Sequence, residues 1–198
     1  LMIDIGTCWG EDEDAARQRL EALEDVGTYW LEEPFANMAL DAYRRLSKLK
    51  PRIPLAAGEG CNNFGQVAAM INHAGIRFVQ IDTGRIGGIR AAKRVADLTA
   101  TKRVTYVNHT FTSHLALSAS LQPFAGLKDD IICEYPVEPK QLALDISSNH
   151  ISLNNNGEVV TPEKPGLGVE VNVKGLKSYL VDTEIYIKGE RIYASPTL

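Results

Sequence analysis

The sequence predicts an α/β fold in which strand, loop and helix repeat with short connections and parallel strands, as in part of an eight-fold βα barrel. Three observations predict it. Short apolar runs alternate with stretches of helical spacing as far as Glu134. The repeat is about 25 residues, close to the roughly 30 of a βα-barrel unit. An ionisable residue closes each apolar run, at the strand end where such barrels build their sites.

The elements follow in order. Residues 1–5 are the first strand, and 11–26 a helix with acids at its start, Ala15, Leu20 and Leu23 on or near one face, and Gly27 as its stop. Residues 28–33 are the second strand, because aromatic and apolar residues run into Glu32 and Glu33 and Pro34 ends the ladder. A helix over 39–49 carries Leu40, Tyr43, Leu46 and Leu49 at threefold spacing. Strands at 53–57, 78–81, 104–107 and 131–133 alternate with helices at 64–73, 88–99 and 113–121. These make five full units and a sixth strand, too few to close eight strands. A chain that opens inside an apolar strand, at Leu1-Met2-Ile3, is expected to have lost an upstream part. Beyond Glu134 the rhythm stops. A turn at 154–157, a punctuated loop at 161–168 and a hairpin of 184–187 with 191–193 are expected there. The division is a barrel portion at 1–136 and a C-terminal tail at 137–198.

Composition narrows the partners. A net charge of -4 with no block of Lys or Arg argues against nucleic acid or anionic membrane. No apolar run reaches the roughly 18 residues of a membrane span. Three widely separated cysteines, Cys8, Cys61 and Cys133, form no disulfide or metal pattern and point to a reducing cytoplasm.

The strand-end residues are Asp4, Glu32, Glu59, Asp82, His109 and Glu134. Asp4, Glu32 and Glu59 fall on three consecutive strands, about 4.8 Å apart. Any one of them alone is equally a partner for Lys or Arg, or a helix cap. Together they repel unless a cation joins them, and oxygen-only ligands with open positions suit Mg²⁺. Glu33 competes with Glu32. On a strand the two face opposite ways, and Glu33 shares the parity of Tyr29 and Leu31, which suits a face packed on helices. Trp30 is apolar too, so parity does not decide alone.

Asp82 and His109 fall on the next two strands. A carboxylate beside an imidazole fixes its tautomer and raises its pKa, which makes a general base; a histidine satisfied by a backbone carbonyl is the plain alternative. Glu134 could stay neutral and donate to a developing oxyanion, or cap a helix. The glycines around Arg85 (residues 84–88) could cradle an anion or simply make a tight turn. His73, His114 and His150 lack partners in the sequence and read as surface or packing residues.

Asp4, the run from Trp30 to Pro34, Gly58-Glu59, Asp82 with Ile86-Gly87-Gly88, Asn108-His109, the run from Cys133 to Pro136 and the loop from Pro165 to Gly168 together resemble the enolase superfamily. Within it they are similar to the mandelate racemase/muconate lactonizing enzyme family, in its mandelate racemase subgroup. The resemblance covers essentially the whole chain. It implies a (β/α)7β barrel of which this chain supplies strands 3 to 8, with a tail that packs on an absent N-terminal capping domain. It also implies Mg²⁺ held by Asp4, Glu32 and Glu59, His109 as base oriented by Asp82, and Glu134 stabilising an enolate. The implied chemistry is abstraction of the proton α to a carboxylate, most specifically dehydration of a sugar acid in a homo-oligomeric enzyme. A racemase, epimerase or cycloisomerase would use the same enolate; a non-catalytic barrel binding sugar acid or metal, or an unrelated metal-dependent aldolase, are readings of other kinds. The family's usual Lys-x-Lys pair and α+β capping domain are not in this chain, and Gly6 stands where many members have Asn.

Overall fold

The structure, a computed structural model, describes residues 1–128 and 132–196. Strands β1 (Met2–Asp4), β2 (Trp30–Glu32), β3 (Leu55–Ala57), β4 (Phe78–Asp82) and β5 (Thr105–His109) form one parallel sheet in chain order. Helices α1 (Glu13–Asp25), α2 (Leu40–Lys48), α3 (Phe64–Ala69), α4 (Ile89–Thr99) and α5 (His114–Leu121) alternate with them. This is the parallel α/β architecture expected from the rhythm. Ile132 adds a parallel bridge to Val107. The expected sixth strand begins at Ile131, which lies outside the described residues.

Two compact units divide the chain: Leu1–Thr110 with Ala119–Glu134, and Phe111–Ser118 with Tyr135–Leu198. In the first, strand alternation sorts side chains onto two faces. Leu31, Leu55, Ala57, Val79, Ile81 and Tyr106 belong to the main core, together with Tyr43, Leu46, Val95 and Ala96 of the helices. Trp30, Ala56, Phe78 and Val107 form a smaller cluster on the other face. That second face also carries, by the same alternation, Glu32, Gln80, Asp82 and His109. Register sets Asp4 beside Glu32 and Asp82 beside His109. Tyr29 departs from expectation. It is half exposed, and its ring meets Trp30 and Phe78, with centroids 5.7 and 5.6 Å away, instead of the helix side.

Local chemistry sets the boundaries. Asp12 is the N-cap of α1, its carboxylate accepting from Ala15 N at 3.0 Å, so the helix starts two residues later than its acidic run suggests. Asn63 caps α3 in the same way, accepting from Gln66 N at 3.0 Å. The expected single helix over 64–73 instead widens into a π turn, Met70–Ala74, before Gly75 at φ 76°. Gly58, at φ 129°, lies under β4: a Cβ there would sit 2.9 Å from the Gln80 carbonyl oxygen. Only glycine fits, and it delivers Glu59 two residues past the end of β3.

In the second unit, α6 (Gln141–Asp145) and α7 (Val173–Leu176) are short. Strands β6 (Glu184–Ile187) and β7 (Glu190–Ala194) make the expected hairpin. Its turn is Lys188-Gly189, both left-handed at φ 52° and 84°, which is the geometry that two-residue hairpins favour. Among the described residues no helix is long and apolar enough to cross a membrane.

Candidate active site

Asp4, Glu32, Asp82 and His109 close β1, β2, β4 and β5, and Glu59 follows β3 by two residues. His109 closes β5 and is buried. Its Nδ1 lies 3.0 Å from Asp82 Oδ2 and its Nε2 lies 2.9 Å from Glu59 Oε2. Burial by itself would lower the imidazole pKa. The Glu59 carboxylate, and after it Asp82, outweigh burial and push it up to about 9. Both ring nitrogens face carboxylates, so the ring is held as an imidazolium.

The carboxylates on either side are themselves fixed. Asp82 Oδ1 accepts from the backbone N–H groups of Gly84 and Arg85 at 2.8 and 2.9 Å. Those two donors are therefore spent within the turn, and Gly88 N donates to Thr83 O at 2.8 Å. The glycine-rich segment acts here as a turn that aims Asp82. Glu59 is held below the usual carboxylate range by the His109 hydrogen bond against the opposing effect of burial, with help from Arg85, whose Nη1 donates to Oε1 at 2.9 Å.

Glu32 and Glu33 lie on the other side of the site. Trp30 Nε1 donates to Glu32 Oε2 at 3.0 Å. Burial first, then the charges of Glu134 and Asp4, push the Glu32 carboxyl up to about 7. Glu33 is not the bystander that strand parity suggests. Its backbone leaves the β region at φ 40°, a conformation costly for a residue with a Cβ. Its side chain is buried, and burial followed by the charges of Glu59 and Asp4 push it up to about 7 as well. Glu33 Oε1 is buried without a hydrogen-bond partner. Asp4 is exposed and accepts from Gly6 N at 2.7 Å.

Glu134 stands beyond the Ile132 bridge, anchored by two amides. Asn108 Oδ1 accepts from Glu134 N at 3.0 Å, and Asn108 Nδ2 donates to Glu134 O at 3.1 Å. Gln80 Nε2 donates to Glu134 Oε1 at 2.6 Å. Burial raises the Glu134 carboxyl above its ordinary range, and its Oε2 is buried without a partner. Gln80, fully buried in the middle of β4, is the site residue that a list of ionisable groups misses. The signal was present, because a lone amide interrupts an apolar strand at the parity of Asp82.

In the second unit, His114 Nδ1 accepts from Ile151 N at 3.1 Å, His150 Nε2 donates to Leu144 O at 3.0 Å, and the two rings stack 4.5 Å apart. They are packing residues. Burial pushes the thiols of Cys61 and Cys133 up to about 11, which leaves both as unreactive thiols at neutral pH.

No three His, Cys, Asp or Glu side chains among the described residues are arranged as a formed metal cluster. Glu32 is turned to Trp30, and Glu59 to His109 and Arg85.

A parallel βα sheet with acid and imidazole groups at its C-terminal strand ends has the arrangement in which βα barrels build their sites. Residues 1–175 match the family model described as "Enolase C-terminal domain-like", and the chain belongs to that family. It is similar over its whole length to a protein named as a predicted mandelate racemase from Rhodobacter sphaeroides, with 52% identity, a TM-score of 0.91 and 50% of that chain covered. It is 26% identical over 183 residues to D-xylonate dehydratase of Haloferax volcanii, covering 92% of this chain and 44% of the relative. It is 28% identical over 163 residues to D-galactarolactone cycloisomerase of Agrobacterium fabrum, covering 77% and 42%. The relatives are named enzymes, and the chain spans about half the length of those it matches.

Proposed function

We propose that this chain carries the catalytic groups of an enzyme that removes the proton α to a carboxylate, and that its reaction is the dehydration of a sugar acid. The observation that carries the reading is His109 clamped between Asp82 and Glu59 at 3.0 and 2.9 Å in the same unit as a buried Glu134 whose Oε2 has no partner. An imidazole whose Nδ1–H is fixed by Asp82 presents Nε2 as the reacting atom. Its base form takes the α-proton once Nε2 is free of Glu59. Its acid form, the one stored here, returns a proton or assists departure of a β-hydroxyl. Removal of the α-proton places a second negative charge on the substrate carboxylate. A neutral Glu134 donates from Oε2 to that growing charge, which acts on the transition state more than on the ground state.

Mg²⁺ belongs to the same proposal. Asp4, Glu32 and Glu59 are an oxygen-only donor set at or just past the ends of three adjacent strands, and the Asp4 charge works against ionisation of Glu32, a repulsion that a cation relieves. When bound, Mg²⁺ supplies electrostatic stabilisation of the enolate. An N-terminal capping domain, a lysine base, a homo-oligomeric assembly and a cytoplasmic home complete the reading; the free cysteines suit that compartment.

A panel of sugar acids incubated with the enzyme and Mg²⁺ in D₂O tests the proposal. Formation of a 2-keto-3-deoxy acid with deuterium delivered from solvent is the expected result. Exchange at the α-carbon with no loss of water turns the reading to a racemase or epimerase. An isomer formed by ring opening or closure turns it to a cycloisomerase, a reading the Agrobacterium relative favours. Absence of both exchange and turnover with every acid rejects the enolate chemistry.

A further inference from the structure

Gln80 occupies the centre of β4, fully buried on the face shared by Phe78 and Asp82. An amide in such a place is costly unless its donors and its acceptor are matched. Its donor side is matched: Nε2 gives a 2.6 Å hydrogen bond to Glu134 Oε1, and the amide also hydrogen-bonds Glu32. Its acceptor side is not, because Gln80 Oε1 is buried with no partner. A methionine of similar length would fill the same space without burying an unmatched acceptor of its own. Core filling therefore does not account for the amide; its grip on Glu134 does.

The main chain of Glu134 is already pinned from the neighbouring strand. Asn108, also fully buried, makes its two-point clamp and uses its second amide hydrogen on Ser120 Oγ at 3.0 Å. The side-chain torsions of Glu134 are the freedom that remains, and Gln80 is the residue that removes it. Because Oε1 accepts from Gln80, the proton of a neutral Glu134 resides on Oε2.

We propose that Gln80 is a positioning residue, whose side-chain amide anchors Oε1 of Glu134 and turns Oε2 toward the carboxylate of the substrate. The inference rests on the enolate reading of the site, and its test separates the two.

Gln80→Met removes the donor at nearly constant volume. Gln80→Asn keeps an amide but shortens it by one methylene, out of reach of Glu134, and serves if the methionine variant fails to fold. On the whole enzyme with its acid substrate and Mg²⁺, either variant is expected to lower kcat by about 10- to 100-fold, the worth of a hydrogen bond to a buried charged or acidic group, with KM held within about threefold. In a Glu134→Gln background the same substitution is expected to change kcat less than about threefold, because a residue that acts through Glu134 has nothing left to position. Crystal structures of the wild type and the variant should show the Glu134 carboxyl rotated while both Asn108 contacts persist. A wild-type kcat in both variants, an undiminished effect in the Glu134→Gln background, or an unmoved Glu134 carboxyl each overturns the proposal. A wild type inactive on every acid rejects the enolate reading instead, and the crystallographic comparison still decides whether Gln80 sets the carboxyl.

Discussion

Replacing His109 with Gln should flatten the dependence of stability on alkaline pH. His109 is buried between two carboxylates that raise its pKa from 6.5 to about 9. The unfolded chain binds this proton less tightly than the folded one. The contribution is therefore fully present below pH 6.5 and is lost as pH rises through about 9. At about 1.4 kcal/mol per pH unit the rise is worth about 3 kcal/mol as an upper bound. For a chain of this size that is a fall in Tm of about 6–12 °C across the interval. Glu32 and Glu33 titrate near 7 and also lose stability with rising pH, so the wild-type slope alone does not isolate the histidine. The comparison is between wild type and His109→Gln, melted at pH 6 and pH 9.5 by circular dichroism. The variant is expected to be less stable at pH 6, since Asp82 and Glu59 lose their shared cation, and to show a visibly smaller drop toward pH 9.5. Equal drops in the two proteins would refute the stored imidazolium. So would a ring titration by NMR that places His109 below 7.

Three further outcomes follow from the same contacts. Glu32→Gln removes a carboxyl whose raised pKa makes it stabilising below about 4.5 and destabilising through about 7; the variant should melt higher than wild type at pH 8, and calorimetric titration should show Mg²⁺ binding weakened at least about tenfold. Glu33→Gln should keep Mg²⁺ affinity within about threefold, because an amide can still accept from Gly60 N, the contact that supports the Glu33 carboxylate. Gly58→Ala forces a methyl to 2.9 Å from the Gln80 carbonyl oxygen at a φ of 129°; a loss of about 2–4 kcal/mol by urea denaturation is expected, together with release of Glu59 from Arg85.

The strands and their order were readable because apolar runs and punctuation recur with little interruption. Ends were less so. Asp12 looks like the start of an acidic helix but serves as its cap, and nothing in residues 64–73 announces that the helix will widen at Met70. At the site, charge was the legible signal, and it marked Asp4, Glu32, Glu59, Asp82, His109 and Glu134. Two residues escaped it for opposite reasons. Glu33 carries charge, but alternation pointed it away from the site, and alternation ends where the backbone turns left-handed at φ 40°. Gln80 obeys alternation but carries no charge, so its buried hydrogen bond to Glu134 became visible only once β4 and the segment after Ile132 were placed together. Neither the pairing of His109 Nε2 with Glu59 nor the indole bond of Trp30 to Glu32 follows from spacing, because both depend on rotamers.

The sheet is ordered β1 to β5 in the order in which the ribosome makes it. Each of β2 to β5 can pair with the strand before it as soon as the helix between them has been synthesised. The cation of His109 is made after the carboxylates of Glu59 and Asp82 it will neutralise. A nascent chain stopped after β4 carries that uncompensated negative cluster, and emergence of β5 supplies the first imidazole to it. Synthesis therefore adds a late electrostatic lock to a sheet that hydrophobic pairing has already assembled.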